Sequence, residues 1–296
     1  MFFEGSEKKI EVVFQDSLES LRQQPTSTWE TLVEKSGAKI LSKISNDKMD
    51  AYLLSESSLF VYDHYLVMIT CGTTRLVHAV QYLVQTFSRE SIKAFFYERK
   101  NELLPRAQAT DFFSDLKILK QWFDGQSLRY GLEDEHHLFL FYDAKNFVPE
   151  KTDRTMEILM HGIDPDIIKW FSGNKTEDRE QWRNKTGVSD IVRGNIDDFI
   201  FEPMGYSLNS IEDSKYFTIH ITPEAEGSYT SFETNAFDQA EQKQWAEKVL
   251  QVFKPRSFDI MLFNDDVMGT PQFDGYQLKR EFKDRIEAGY CTQYFT

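Results

Sequence analysis

Leu53-Leu54-Ser55-Glu56-Ser57-Ser58 sits inside an apolar run from Met49 to Val61 that contains neither glycine nor proline. Such a run reads as one or two buried strands joined by a tight connection. Glu56-Ser57-Ser58 is out of place there, because each buried polar group left without a partner costs roughly 1–3 kcal/mol. A local conflict of this kind often marks a functional position. The plain alternative is an ordinary turn with its serines in water at the tip, and the segment alone does not choose between the two.

Working outward, residues 9–14 read as a strand, and 17–24 and 28–36 as helices with Ser17 and Ser27 as caps. Residues 39–44, 51–56, 59–63 and 65–70 make a strand-rich block. After Cys71-Gly72, Thr73 or Thr74 is placed to cap a helix whose apolar residues Leu76, Val77, Val80, Leu83, Val84 and Phe87 keep the helical period. Strands are expected at 92–97 and 137–142, on either side of an amphipathic helix at 111–123. Residues 154–161 form another strand, leading through Asp164-Pro165 into a helix at 167–171. The polar stretch 174–195 reads as a partly helical surface excursion. Three or four antiparallel strands follow at 196–233, then a helix at 236–253 and a strand-rich tail. Helices separate groups of strands without regular βαβ alternation, which argues for an α+β fold with antiparallel sheets.

Composition limits the function. Of 296 residues, 41% are hydrophobic and 15% aromatic, enough for a sizeable core. No apolar run approaches the roughly 18 residues of a membrane span, and no signal peptide is evident, so a cytoplasmic protein is expected. Cys71 and Cys291 are the only cysteines, too few for a disulfide framework or a zinc knuckle. With 34 basic against 48 acidic residues the net charge is −14, which disfavours nucleic acid and anionic membrane and is compatible with a small cationic ligand. No internal repeat is visible.

Seven segments then fall in register: 2–8 (Phe-Phe-Glu-Gly-Ser-Glu-Lys), 50–60, Thr70-Cys71-Gly72-Thr73-Thr74, 153–160, 201–209, 218–224 and 231–235. Together they resemble the eukaryotic-type S-adenosylmethionine decarboxylases, and the resemblance loosens beyond Asn235. It implies a four-layer αββα sandwich, two antiparallel sheets facing each other with helices outside, as a single domain over 1–296 built from two similar halves. It also implies self-cleavage into a chain of residues 1–56 and a chain of 57–296.

The chemistry of that cut is readable from the residues. A Ser57 hydroxyl held against the Glu56 carbonyl carbon can move the acyl group from nitrogen to oxygen. Loss of the Cα proton of residue 57 then eliminates the ester, leaving dehydroalanine, which tautomerises and hydrolyses to a pyruvoyl group. By resemblance, His220 is the base for elimination, Ser207 supports the acyl shift, and Glu7 serves processing or the active site. His220 lies in Phe217-Thr218-Ile219-His220-Ile221-Thr222, where alternation sets it opposite Ile219 and Ile221. The residue's plain reading is a structural histidine on a strand, and that of Ser207, between Tyr206 and Leu208, is a turn serine. A ketone that condenses with the substrate amine is an electron sink for decarboxylation, so neither pyridoxal phosphate nor a metal is called for. Cys71 is a thiol with a suitable pKa range to return a proton to the substrate; as an unpaired cysteine it is otherwise a small hydrophobe.

The resemblance further matches Phe3 and Phe201 to an adenine slot and Glu224 to the ribose hydroxyls, with Glu4, Leu54 and Glu56 bordering the site. Asp153, Thr155 and Glu157 share one face of a strand and, with Glu11 and Glu233, match a buried acidic site for the activator putrescine; surface carboxylates are the plain reading. Animal relatives carry a lysine where this chain has Ile69, so the acidic cluster is expected to depend more on a bound cation or to be partly protonated. Two other readings stay open: a pyruvoyl decarboxylase of a different amino acid, and a non-catalytic regulatory paralogue. Members of that family include dimers of the cleaved pair and smaller assemblies, and a homodimer of cleaved pairs is one of the two states the sequence leaves open.

Overall fold

The computed structural model describes residues 3–145, 147–171, 178–224, 227–238, 240–267 and 269–296. The chain divides into two compact units, Ser6–Val148 and Pro149–Thr296, the latter joined by the N-terminal residues up to Gly5.

The first unit contains β1 (Lys8–Phe14), α1 (Thr26–Ser36), β2 (Ile40–Ser45), β3 (Asp50–Leu54), β4 (Ser57–Val61), β5 (Tyr65–Thr70), α2 (Leu76–Phe87), β6 (Ile92–Lys100), α3 (Phe112–Leu119), β7 (Gln126–Tyr130) and β8 (Leu138–Asp143). Its strands form one antiparallel sheet in the order β2-β3-β4-β5-β1-β6-β8-β7. The second unit contains β9 (Thr155–His161), α4 (Pro165–Ile168), α5 (Arg179–Thr186), β10 (Asn195–Ile200), β11 (Tyr206–Glu212), β12 (Lys215–Thr222), β13 (Tyr229–Thr234), α6 (Gln242–Phe253), β14 (Ser257–Asn264), β15 (Glu281–Arg285) and β16 (Cys291–Phe295). Its sheet is also antiparallel, in the order β10-β11-β12-β13-β9-β14-β16-β15. Adding eight to every strand of the first order reproduces the second. The α+β class with two antiparallel sheets is therefore observed, and the duplication is one of topology that no sequence repeat announces.

Period-2 alternation sorts each strand into two rows. In the first unit Ile10, Val12 and Phe14 of β1 and Phe95 and Tyr97 of β6 join α1 (Trp29, Leu32, Val33) and α2 (Leu76, Val80, Leu83) in one apolar core. In the second, Met156, Ile158, Leu208, Ile219 and Phe232 join Trp245, Val249 and Phe253 of α6. The alternate row, facing away from the helices, is polar yet buried: Lys9, Glu98 and Lys100 in the first sheet, and Glu157, Ser207, Asn209, Thr218, His220 and Glu233 in the second. Alternation fixes which face these groups take, and all the chemistry argued below lies on those rows or at the turns that end them.

Several local expectations are corrected. The expected helix at 17–24 is one 3-10 turn, Leu21–Gln23, of which only Leu21 is buried. Pro25, with its preset φ, occupies the N-cap position of α1 in place of Ser27. Thr73 and Thr74 do not cap α2: Arg75 takes that position, and the Thr74 hydroxyl donates to the Cys71 carbonyl at 2.8 Å. The stretch 174–195 is not only a surface excursion, since Trp182, Val188 and Ile191 are fully buried in the second core; its residues 174–177 lie outside the described residues. Strand β7 was not expected, its residues being mostly exposed.

Candidate active site

The stretch Met49–Val61 folds as the hairpin β3–β4, with Leu54 opposite Ser57 and Ser55-Glu56 as the two-residue turn. The serines after the turn are not in water, for Ser57 is 1% and Ser58 0% exposed. Ser57 also has φ 134°, a region that residues bearing a Cβ rarely adopt. Its hydroxyl has no hydrogen-bond partner among the described residues.

The Glu56 carbonyl oxygen, on the bond preceding Ser57, is held from the end of β5. It accepts the Cys71 backbone N–H at 2.9 Å and the Cys71 thiol, whose Sγ lies 3.4 Å away. Two donors on one carbonyl favour charge building on that oxygen, the arrangement that stabilises a tetrahedral centre. Cys71 is held in turn by a tight turn at Gly72, φ 64°. The buried Lys8 ammonium donates to the Gly72 carbonyl at 3.2 Å and to Gln108 Oε1 at 3.0 Å. Burial and the nearby Arg99 lower its pKa below the usual lysine range. Burial also pushes the Glu56 carboxyl up to about 7, and one of its oxygens has no partner among the described residues.

Glu7 forms a buried ion pair with Lys100 at 3.2 Å. Leu54 turns its side chain into the helix-side core, so only its backbone is available to a ligand. Glu11, half-buried on β1, shares the polar row with Lys9. Lys9 is aligned across the sheet with Ile69 on one side and Glu98 on the other, and pairs with Glu98 at 3.7 Å, both about 3% exposed. A cation thus stands one strand over from the position where Ile69 lacks one.

In the second unit Ser207 lies directly opposite His220 on the neighbouring strand, and His220 Nδ1 is 2.9 Å from Ser207 Oγ. The other ring nitrogen meets Thr218 Oγ1 at 2.8 Å, and Thr218 donates to Asn209 Oδ1 at 3.1 Å. Thr218 and Asn209 were missed from the sequence, although each is two residues from a candidate on the same strand face.

Glu157 and Glu233 are also cross-strand partners and are almost wholly buried. The Tyr216 hydroxyl donates to Glu233 Oε1 at 2.5 Å, while Tyr290 donates to Asp153, just ahead of β9. Thr155 opens β9 on the same face as Glu157. Asp153, Thr155, Glu157 and Glu233 are therefore not a set of surface carboxylates: only Asp153 is more than slightly exposed.

Near the N-terminus, the backbone N–H of Phe3 donates to Glu224 Oε1 at 2.8 Å, which brings together two of the nucleoside candidates. The Phe3 ring is 39% exposed, as a stacking face open to a ligand would be, and Glu4 is buried. Gly5 is needed for this approach, because a Cβ there would come within 2.8 Å of the Tyr229 side chain. Phe201 packs edge-on against Phe199, with ring centroids 4.9 Å apart. Among the described residues no helix is long and apolar enough to cross a membrane.

Comparison with known proteins agrees with this layout. The family model for adenosylmethionine decarboxylase matches residues 1–294. A Dictyostelium discoideum protein named S-adenosylmethionine decarboxylase proenzyme is 37% identical over 298 residues, covering 93% of this chain and 77% of that relative. The Xenopus laevis protein of the same name is 37% identical over 280 residues, covering 88% of this chain and 83% of its own. Among solved structures, a Trypanosoma brucei AdoMetDC monomer shares the fold with a TM-score of 0.64 at 24% identity, covering 80% of this chain and 97% of that one. With nearly its whole length matched, the chain belongs to the adenosylmethionine decarboxylase family.

Proposed function

We propose that this chain is a proenzyme that cuts itself between Glu56 and Ser57 and then decarboxylates S-adenosylmethionine. The observation that carries the reading is the hairpin turn itself, where a strained and buried serine whose hydroxyl has no partner among the described residues follows a carbonyl that accepts two hydrogen bonds from Cys71.

In the first step the Ser57 hydroxyl attacks the Glu56 carbonyl carbon, while the Cys71 N–H and thiol take up the charge growing on the carbonyl oxygen. Collapse breaks the C–N bond and leaves an ester on Ser57 Oγ and a free amine on Ser57. Removal of the Cα proton of residue 57 expels the Glu56 carboxylate as leaving group, and hydrolysis of the resulting enamine releases ammonia. Following the family pattern, the base is His220, Ser207 supports the acyl shift and Glu7 assists.

The residues around position 57 fit the pyruvoyl group these steps would make, since the serine that must be consumed has a buried hydroxyl with no partner among the described residues. That ketone supplies an electron sink for the electrons left at the substrate Cα when carbon dioxide departs. Cys71 then returns a proton to that carbon. Phe3 and Phe201 stack on the adenine, Glu224 accepts the ribose hydroxyls, and Glu4, the Leu54 backbone and Glu56 border the substrate. Aromatic faces also suit the sulfonium, at roughly 0.5–2 kcal/mol.

Asp153, Thr155, Glu157 and Glu233, with Glu11, are the residues we assign to putrescine. The buried pairing of Glu157 with Glu233 favours a cation, since like charges so close raise each other's pKa without one. Equal activity and thermal stability with and without putrescine would remove this assignment.

Denaturing electrophoresis with mass spectrometry tests the main reading. Two fragments, ending at Glu56 and beginning at a blocked residue 57, support it, as does release of carbon dioxide from S-adenosylmethionine but not from ornithine or arginine. A single intact 34.8 kDa chain in active protein would overturn it. Sedimentation of the cut protein distinguishes a homodimer of cleaved pairs from a smaller assembly.

A further inference from the structure

Behind His220 the hydrogen bonds run in one direction. Ser207 and Asn209 are two apart on β11, Thr218 and His220 two apart on β12, and the register sets Ser207 opposite His220 and Asn209 opposite Thr218. The four side chains thus make a compact square on the polar row, with Asn209 0% and Thr218 1% exposed.

A hydroxyl has one proton to give. Thr218 donates it to Asn209 Oδ1, an atom that can only accept. At 2.8 Å from His220 Nε2, the Thr218 oxygen is then left as an acceptor, and the proton between them belongs to the imidazole. A neutral ring protonated at Nε2 carries its lone pair on Nδ1, the nitrogen 2.9 Å from Ser207 Oγ. The opposite tautomer would turn the Thr218 proton toward the ring and strip a buried amide oxygen of this donor, a cost that disfavours it.

We propose that Asn209 and Thr218 are positioning residues that hold His220 as the Nε2–H tautomer, so that Nδ1 is the atom that takes up a proton during processing. This rests on the reading of His220 as the elimination base. Neither residue touches the reacting bond; they act through the ring. Losing Thr218 lets the ring sample the tautomer with no lone pair on Nδ1, and removes the partner that steadies the imidazolium once the proton has arrived.

The test follows cutting of freshly synthesised full-length chain with time, together with His 15N NMR on the uncut Ser57→Ala protein. Thr218→Val, which keeps the shape without the hydroxyl, is expected to slow the appearance of fragments by about tenfold or more. Its uncut chains are expected to carry a hydroxylamine-sensitive ester, because the acyl shift still runs and elimination stalls. Thr218→Ser should restore cutting, and the NMR spectrum should show a protonated Nε2 and an unprotonated Nδ1 at His220. A protonated Nδ1 in that spectrum, or Thr218→Val cutting at the parental rate without ester, would overturn the proposal. If Thr218→Val does not fold, the spectrum of the parental Ser57→Ala chain decides alone. A His220→Ala chain that cuts normally sinks the assignment of the base itself, while the spectrum still judges the tautomer.

Discussion

Replacing Ser57 by alanine and by glycine separates two burdens that the structure places on one residue. Both variants lack the hydroxyl proposed to attack Glu56, so both should remain uncut and can be compared in the same covalent state. A residue with a Cβ at φ 134° stores about 1–3 kcal/mol. Glycine removes that strain but restores roughly 0.5–1 kcal/mol of freedom to the unfolded chain. The glycine variant should therefore be the more stable by about 0.5–2 kcal/mol, reversing the usual order of alanine over glycine in a strand. Urea unfolding at neutral pH, followed by tryptophan fluorescence with equal slopes for the two variants, reads the difference as a shift in midpoint. An alanine variant equal to or more stable than the glycine one would mean that the backbone at 57 is relaxed, and that strain contributes nothing to the cut.

Glu56 gives a pH dependence of definite sign in the uncut Ser57→Ala chain. Its carboxyl, pushed from 4.5 to about 7 by burial, holds a proton in the folded state that the unfolded chain releases, so its contribution is full below about 4.5 and is lost as pH rises through 7. Partial exposure reduces the loss to about 1–2 kcal/mol, and Glu56→Gln should flatten this part of a stability–pH curve; an unchanged slope would refute the burial. Gly5→Ala should raise KM for S-adenosylmethionine several-fold, about 3–10, while kcat of the cut enzyme stays within about twofold, because its Cβ would drive the segment bearing Phe3 off Tyr229 and away from Glu224; steady-state kinetics with unchanged KM would count against the nucleoside assignment.

Much of this was legible because alternation is a local property. That Thr155 and Glu157 share a face, and that His220 lies opposite Ile219 and Ile221, follows from counting by two and is what the sheets display, although β9 begins only at Thr155 and leaves Asp153 ahead of it. Pairing between strands is not local. No spacing shows that Glu157 meets Glu233, or that Ser207 meets His220 with Thr218 and Asn209 behind them. Ile69 is a case in point: no spacing shows that the neighbouring strand sets Lys9 beside it. Trp182 fails differently: a strongly polar stretch hid a single ring that fills the second core.

The duplicated strand order supplies an internal control for the hairpin itself. In the first sheet β3 and β4 close with Leu54 opposite Ser57, and in the second the equivalent β11 and β12 close with Glu212 opposite Lys215, each around two turn residues. In the second hairpin the positive φ falls at Asp213, 52°, inside the turn, where a short polar side chain tolerates the left-handed conformation. In the first it falls beyond the turn, on Ser57, within the ladder. The same connection can thus be closed without strain by this chain, and what sets the first hairpin apart is the displacement of the unfavourable dihedral onto the residue whose own hydroxyl lies beside the preceding carbonyl. A donor pair then waits on that carbonyl at Cys71, whereas Lys215 offers an ammonium whose pKa burial lowers and no hydroxyl to attack. On the proposed reading, chemistry is confined to one of two like turns by where the backbone is strained and by what side chain bears it.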